Sequence, residues 1–225
     1  MKDVICIGSA TLDIFIQSDD FKVMPTNDGV VLCEQYGAKL DVKELNILSG
    51  GGATNASVTF KRQGLDVGLI AEIGDDLPGQ SILQDLSRFK INTNWIIQEA
   101  DEKTAVSVVL VANEGGRSIV NYRGASRMLG TNDIPWDQLE AKWLYITSLG
   151  GNMELLTEIT RFAHNHNLSI AINPGKAELE HTQEIYRLAP YWHILFINED
   201  EAALLTGKNT QDLELLAVSV QNFGS

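Results

Sequence analysis

Ser49-Gly50-Gly51-Gly52-Ala53-Thr54-Asn55-Ala56-Ser57 is the stretch on which the reading of this chain turns. Three consecutive glycines let a backbone pass close to another group and take positive φ. The residues after them read as a helix, Ala53–Gln63, closed by Gly64. A helix opening on glycines aims its unpaired N–H groups at whatever lies before it, which suits anionic or hydroxyl-rich groups. The run is not a Walker A loop, because no Gly-x4-Gly-Lys-Ser/Thr is present here. It is not a dinucleotide fingerprint either, since Asn55 stands where the third glycine belongs. By itself the stretch also fits a tight turn ahead of a helix.

On either side, strand-like and helix-like segments alternate. Val4–Gly8, Leu12–Gln17, Val30–Tyr36, Leu45–Leu48 and Val67–Ile73 read as strands, and Asp76–Phe89 as an amphipathic helix with Pro78 in its first turn. Thr104–Ala112 and Ser118–Tyr122 form a hairpin about Gly115-Gly116. Strands at Trp143–Thr147, Leu168–Asn173 and His193–Asn198 then alternate with helices at Met153–His166, Glu178–Ala189 and Glu199–Thr206. Gly207 is a C-cap, and a weaker helical pattern covers Gln211–Phe223. The expected fold class is α/β: one domain over 1–225 with a mostly parallel central sheet and helices on both faces. The β-rich stretches at about 11–48 and 94–123 interrupt that rhythm and read as a small β lid over the strand ends.

The chain has 225 residues and a formal charge of −13, with 44% hydrophobic and 21% charged residues. This balance suits a globular protein with a full core. It argues against nucleic acid and anionic membrane surfaces as partners, because both require a basic face. Cys6 and Cys33 are the two cysteines, with no CxxC or Cys/His cluster, so neither a disulfide framework nor zinc is expected. Asp13 interrupts the first apolar run, and no run approaches the roughly 18 residues of a membrane span. A cytoplasmic location with no membrane is the expectation.

Five motifs in order carry a family resemblance. Gly51 to Gly74, with Gly64 between, matches the first signature of the ribokinase-like (PfkB) kinases. Gly8-Ser9-Ala10-Thr11-Leu12-Asp13 resembles that family's first strand with its closing glycine and aspartate. Gly74-Asp75-Asp76-Leu77-Pro78-Gly79 resembles its GxDxxG stretch. Asn173-Pro174-Gly175 resembles its NP turn, and Asn198-Glu199-Asp200-Glu201 its NxxE motif.

The resemblance implies transfer of the ATP γ-phosphoryl to a hydroxymethyl group of a sugar or nucleoside. It makes Asp13, Gly51, Gly52, Asn55 and Thr11 the substrate-binding candidates. Asp13 would accept from two sugar hydroxyls, and Asn55 both donates and accepts. It places Asn198 near the ATP phosphates and Glu201 on Mg2+ through water. The same Asn-x-x-Glu spacing is a capping box, and the two roles are compatible. Arg117 and Arg123 are phosphate-contact candidates, whereas His164 and His166 read as surface residues. The family's second signature, Asp-Thr-x-Gly-Ala-Gly-Asp with the general base, is not in this sequence. The expectation is therefore a chain ending before the catalytic base, with the C-terminal part of the fold missing. No acidic residue stands near Leu149, so ribose is not favoured over other sugars or nucleosides. The relatives imply a homodimer clasped through the lids. The alternative is a non-catalytic sugar-binding or dimerisation fragment of the same family.

Overall fold

The computed structural model describes residues 1–27 and 29–208, with 214, 219 and 220. The pattern read over 211–223 falls almost entirely outside the described residues. In chain order the strands are β1 (Lys2–Ile7), β2 (Thr11–Gln17), β3 (Lys22–Thr26), β4 (Gly29–Cys33), β5 (Glu44–Gly50), β6 (Val67–Gly74), β7 (Ile96–Glu99), β8 (Ala105–Val111), β9 (Arg117–Tyr122), β10 (Ala141–Ile146), β11 (Ser169–Ile172) and β12 (Ile194–Leu195). The helices are α1 (Gly52–Arg62), α2 (Leu77–Arg88), α3 (Met153–Asn165), α4 (Lys176–Leu179), α5 (Thr182–Leu188) and α6 (Glu199–Thr206).

Six strands form a parallel sheet in the order β12-β11-β10-β1-β6-β7. Their side chains separate with period two. Val4 and Cys6 of β1, with Leu69, Ala71 and Ile73 of β6, meet Ala53 of α1 and Ile82 and Leu86 of α2. Ile5, Ile7, Ile70, Leu144 and Ile146 point to the other face, against Leu155, Leu156 and Ile159 of α3 and Ile185 of α5. Chain order runs from β1 outward to β6 on one side and to β10 on the other. The sheet's topological switch point therefore lies between β1 and β10, where open α/β sheets place ligands at the strand C-terminal ends.

A second sheet, β5-β2-β8-β9, stands over that edge, with β2 and β8 parallel and both outer pairs antiparallel. Asp76 ties it to the main sheet. Its carboxylate caps α2 by accepting from the Gly79 N–H, at 3.0 Å, and accepts from the Thr104 N–H and hydroxyl at the entrance to β8, at 3.0 and 2.5 Å. Burial alone would raise the Asp76 pKa, but these hydrogen bonds outweigh it and leave it lowered.

Three elements differ from expectation. The hairpin β3–β4 pairs Pro25 with Val30, and Pro25 masks the β3 pattern because proline is tolerated in strands chiefly at edges. Ile96–Glu99, inside the second β-rich stretch, joins the edge of the main sheet beside β6 rather than the small sheet. The helix read over 178–189 is broken into α4 and α5 at His181, whose ψ of 53° is not helical.

Glu72 is the anomaly in this core. It projects from β6 with 2% of its surface exposed, and its Oε2 is the one buried side-chain polar atom lacking a partner among the described residues. Burial, with Glu99 and Asp133 nearby, raises its pKa to about 8. The folded state thus holds a proton that the unfolded chain releases in the ordinary carboxylate range. Its contribution to stability falls as pH rises from there through about 8. Glu72→Gln should flatten the pH dependence between 5 and 8 and stabilise the fold at pH 8.5 by roughly 1–4 kcal/mol. Thermal melts of the two proteins across that range check this, and parallel curves would contradict it.

Candidate active site

Three segments meet at the switch point: the β1–β2 connection, the glycine run into α1, and the end of β10. Gly51 precedes α1 with φ 93°, and a Cβ there would lie 2.5 Å from the Ser9 carbonyl oxygen. Its neighbours are equally tight. A Cβ at Gly50 would meet an Asp13 carboxylate oxygen at 2.0 Å, and one at Gly52 the Thr147 Cβ at 2.7 Å. Ser9 closes the junction: its hydroxyl accepts from the Gly52 N–H at 3.0 Å and its carbonyl from the Ala53 N–H at 3.1 Å. Thr54 adds bonds from its hydroxyl to the carbonyls of Gly50 and Gly51. The approach dictates glycine.

Asp13 lies on β2, opposite Leu48 of β5 and Ser107 of β8, rather than at the end of the first strand. Its half-buried carboxylate sits over Gly50 and accepts from the Thr11 hydroxyl at 2.9 Å. Thr11, Asp13 and the Gly50–Gly52 run therefore lie together. Asn55 follows, exposed, on the first turn of α1, with its backbone N–H donating to the Gly51 carbonyl at 3.0 Å. The Gly52 N–H, expected to face a ligand, donates to Ser9. Any part it plays in binding runs through that hydroxyl.

Asn198 and Glu201 stand apart, at the start of α6 beyond β12. They form a complete capping box: Asn198 Oδ1 accepts from the Glu201 N–H at 2.8 Å, and Glu201 Oε2 from the Asn198 N–H at 2.9 Å. The other Glu201 carboxylate oxygen lies outside the box. No group of three or more His, Cys, Asp or Glu arranged to hold a metal ion occurs among the described residues.

Sequence reading missed the carboxylate that organises the far wall. Glu178, 1% exposed, accepts from the N–H groups of Leu149 and Gly151 through Oε1, at 2.9 and 2.6 Å. Its Oε2 accepts from the Gly175 N–H at 2.7 Å and the Ser148 hydroxyl at 3.3 Å. One buried charge thus joins the loop after β10 to the loop after β11. The available signal was an acidic residue three positions past the glycine of the Asn173-Pro174-Gly175 turn. Ser9, Ser148 and Arg127 were missed as well. With Thr11, Ser107 and Arg123 they line a cavity of about 100 Å³ between the two sheets. A larger cavity of about 420 Å³, walled by Phe60, Trp143, Tyr145 and Phe196, is apolar apart from Asp3 and Lys142, which pair with each other at 2.7 Å. It has no convergent polar groups.

A model of the pfkB family carbohydrate kinases matches residues 1–225. The chain belongs to the pfkB family. It is 26% identical over 207 residues to a ribokinase of Staphylococcus aureus, covering 91% of this chain and 63% of that protein. A nucleoside kinase of Methanothermobacter thermautotrophicus is 23% identical over 214 residues, covering 94% and 65%. The chain thus spans less than two thirds of these curated relatives. The fold matches that of an Arabidopsis thaliana ribokinase complexed with ribose and ATP, with a TM-score of 0.76, 17% identity and coverage of 99% of this chain and 68% of that one. As a pfkB protein the chain has the ribokinase-like fold expected from its five motifs.

The Glu178 clamp is directly testable. Glu178→Gln keeps one acceptor but turns an amide N–H2 toward groups that themselves donate. The variant should be destabilised by about 3 kcal/mol, since it loses charge-assisted bonds and leaves buried donors unmet. Urea unfolding measures this, and a change under 0.5 kcal/mol would refute the clamp.

Proposed function

We propose that this chain supplies the acceptor-binding part of an ATP-dependent kinase acting on a hydroxymethyl group of a sugar or nucleoside. The observation that carries the reading is the convergence of Thr11, Asp13 and the Gly50–Gly52 run at the switch point of a pfkB-family sheet. Asp13 is an acceptor-only carboxylate beside a backbone that no side chain obstructs. That is the chemistry needed to hold vicinal hydroxyls. The small sheet is proposed to act as a lid that excludes water from the reacting groups.

ATP and Mg2+ are the proposed cofactors. Asn198 at the α6 N-terminus would face phosphate, and the free oxygen of Glu201 would reach Mg2+ through water. Bound Mg2+ would neutralise phosphate charge while this chain's residues hold and orient the acceptor. Among the described residues no helix is long and apolar enough to cross a membrane. Cys6 and Cys33 are both free thiols, in keeping with the proposed reducing cytoplasm.

The binding test uses the 225-residue chain and calorimetric titration with ribose, fructose and adenosine. Asp13→Asn should weaken whichever acceptor binds by about ten- to a hundredfold, as charge-assisted bonds become neutral ones. Unchanged affinity in a folded variant would remove Asp13 from the site. Without the second signature, the same chain is expected to give no acceptor-dependent ATP turnover, and robust phosphorylation would overturn that part of the reading.

Assembly follows from exposed apolar surface. Leu45, Ile47, Ile119 and Val120 of the small sheet and Val30 and Val31 of the hairpin are all more than a third exposed. Edge strands carrying such residues seek a partner. The proposed partner is a second copy, joined lid to lid. Light scattering at micromolar concentration should give twice the chain mass, and Ile47→Lys with Val120→Lys should reduce it to one. A monomeric parent protein would contradict the clasp.

A further inference from the structure

The charge lining the inter-sheet cavity is opposite to that of the protein. The chain carries 30 acidic against 17 basic residues, yet no Asp or Glu lines this cavity, whereas Arg123 and Arg127 both do. Neither guanidinium lies within 4.0 Å of a carboxylate in any ion pair among the described residues. The nearby acid, Glu102, accepts through Oε1 from the Tyr122 hydroxyl and the Lys103 N–H, and it feels the Arg127 charge without closing to an ion pair.

The two arginines are set by the fold rather than left on a free loop. They bracket a 3-10 turn over Gly124–Arg127. Its Ala125 is fully buried and donates its N–H to the Lys103 carbonyl at 2.8 Å. Ser126 closes the turn by donating to the Arg123 carbonyl at 2.6 Å. Four residues apart, Arg123 and Arg127 face the same cavity from successive turns. The stem of Arg127 lies against Gly150, at the end of β10. The hydroxyls of Ser9, Thr11, Ser107 and Ser148 line the same cavity; those of Thr11 and Ser148 donate to Asp13 and Glu178.

A neutral sugar needs carboxylate and amide acceptors as well as donors, and two guanidiniums without a carboxylate within 4.0 Å offer donors alone. Paired forks beside hydroxyls match a phosphate or a carboxylate. The Asn198 corner, where the phosphoryl donor is proposed to sit, follows β12, two strands from the β10 end on which Arg127 packs. The anion-binding end is therefore separated from the donor end.

We infer that Arg123 and Arg127 select an acceptor that carries an anionic group, phosphate or carboxylate, at the end away from its reacting hydroxymethyl. This deepens the proposed acceptor site and rests on that reading for the position of the hydroxyls. Both residues are specificity determinants, and neither takes part in the chemical step.

Calorimetric titration of the 225-residue chain with fructose, fructose 6-phosphate, gluconate and inorganic phosphate tests the inference. Fructose 6-phosphate or gluconate should bind at least tenfold more tightly than fructose, and the better of the two identifies the anion. Arg123→Gln and Arg127→Gln should each lower that ratio by about tenfold, the scale of one charge-assisted contact. Circular dichroism melts confirm that the variants are folded. Fructose bound as tightly as both anionic probes would overturn the charge selection while leaving the acceptor site in place. Anionic probes that bind in an arginine-dependent manner, with binding indifferent to Asp13→Asn, would keep the anion site and remove the hydroxyl reading instead. If no probe binds, or the ratio survives both substitutions, the inference fails.

Discussion

No side chain fits at positions 50, 51 or 52 unless a neighbour moves, and at Gly51 that neighbour is backbone. A Cβ at any of them would fall within 2.7 Å of the Asp13 carboxylate, the Ser9 carbonyl or Thr147 respectively. That steric constraint brings together the first strand, the first strand of the small sheet and the end of β10. It sets the start of α1, fixes the register of β5 against β2 and places an acceptor carboxylate beside bare backbone. Ser9 holds the junction by accepting from the first two N–H groups of the helix. Everything proposed for the site depends on this close approach.

The opposite wall is held by charge. Glu178 is buried, but its carboxylate oxygens accept from three backbone N–H groups and a hydroxyl, which offsets desolvation. Glu72 shows the contrary case. Placed on β6 without a full set of donors, it takes up a proton instead. Of these two buried glutamates, one on α4 and one on β6, the first has a full set of donors and the second does not. Asp76, bonded to Thr104 at the root of the small sheet, completes the frame with a third carboxylate. The protein's excess negative charge is in part structural, while the cavity between the sheets presents arginines.

The parallel sheet was legible because its strands are short, apolar and separated by amphipathic helices of ordinary length. The small sheet was legible as a departure from that rhythm. Pro25 concealed β3, because a proline argues against a strand until its partner is known. Ile96–Glu99 was assigned to the wrong sheet, since four residues carry too little pattern to choose a neighbour. At the candidate site, glycine spacing marked the turn, and Asp13 is the carboxylate proposed to hold the acceptor. Glu178 was marked only by its place three positions past Gly175, because two of its backbone partners lie 27 and 29 residues upstream, in a loop the sequence does not label. Arg127 was hidden for a similar reason: its role depends on a 3-10 turn packed beneath the small sheet, and periodicity does not reveal such packing.

The central claim is that ligand binds where the glycine run, β2 and the end of β10 converge. Hydrogen–deuterium exchange of the intact 225-residue chain, with and without saturating fructose, fructose 6-phosphate or adenosine, tests it most directly. The account predicts slowed exchange over residues 9–13, 50–55 and 148–151 with at least one of these, and no change over residues 194–196 beside the apolar cavity. Protection confined to 194–196, or none at the glycine run with any of the three, would contradict it.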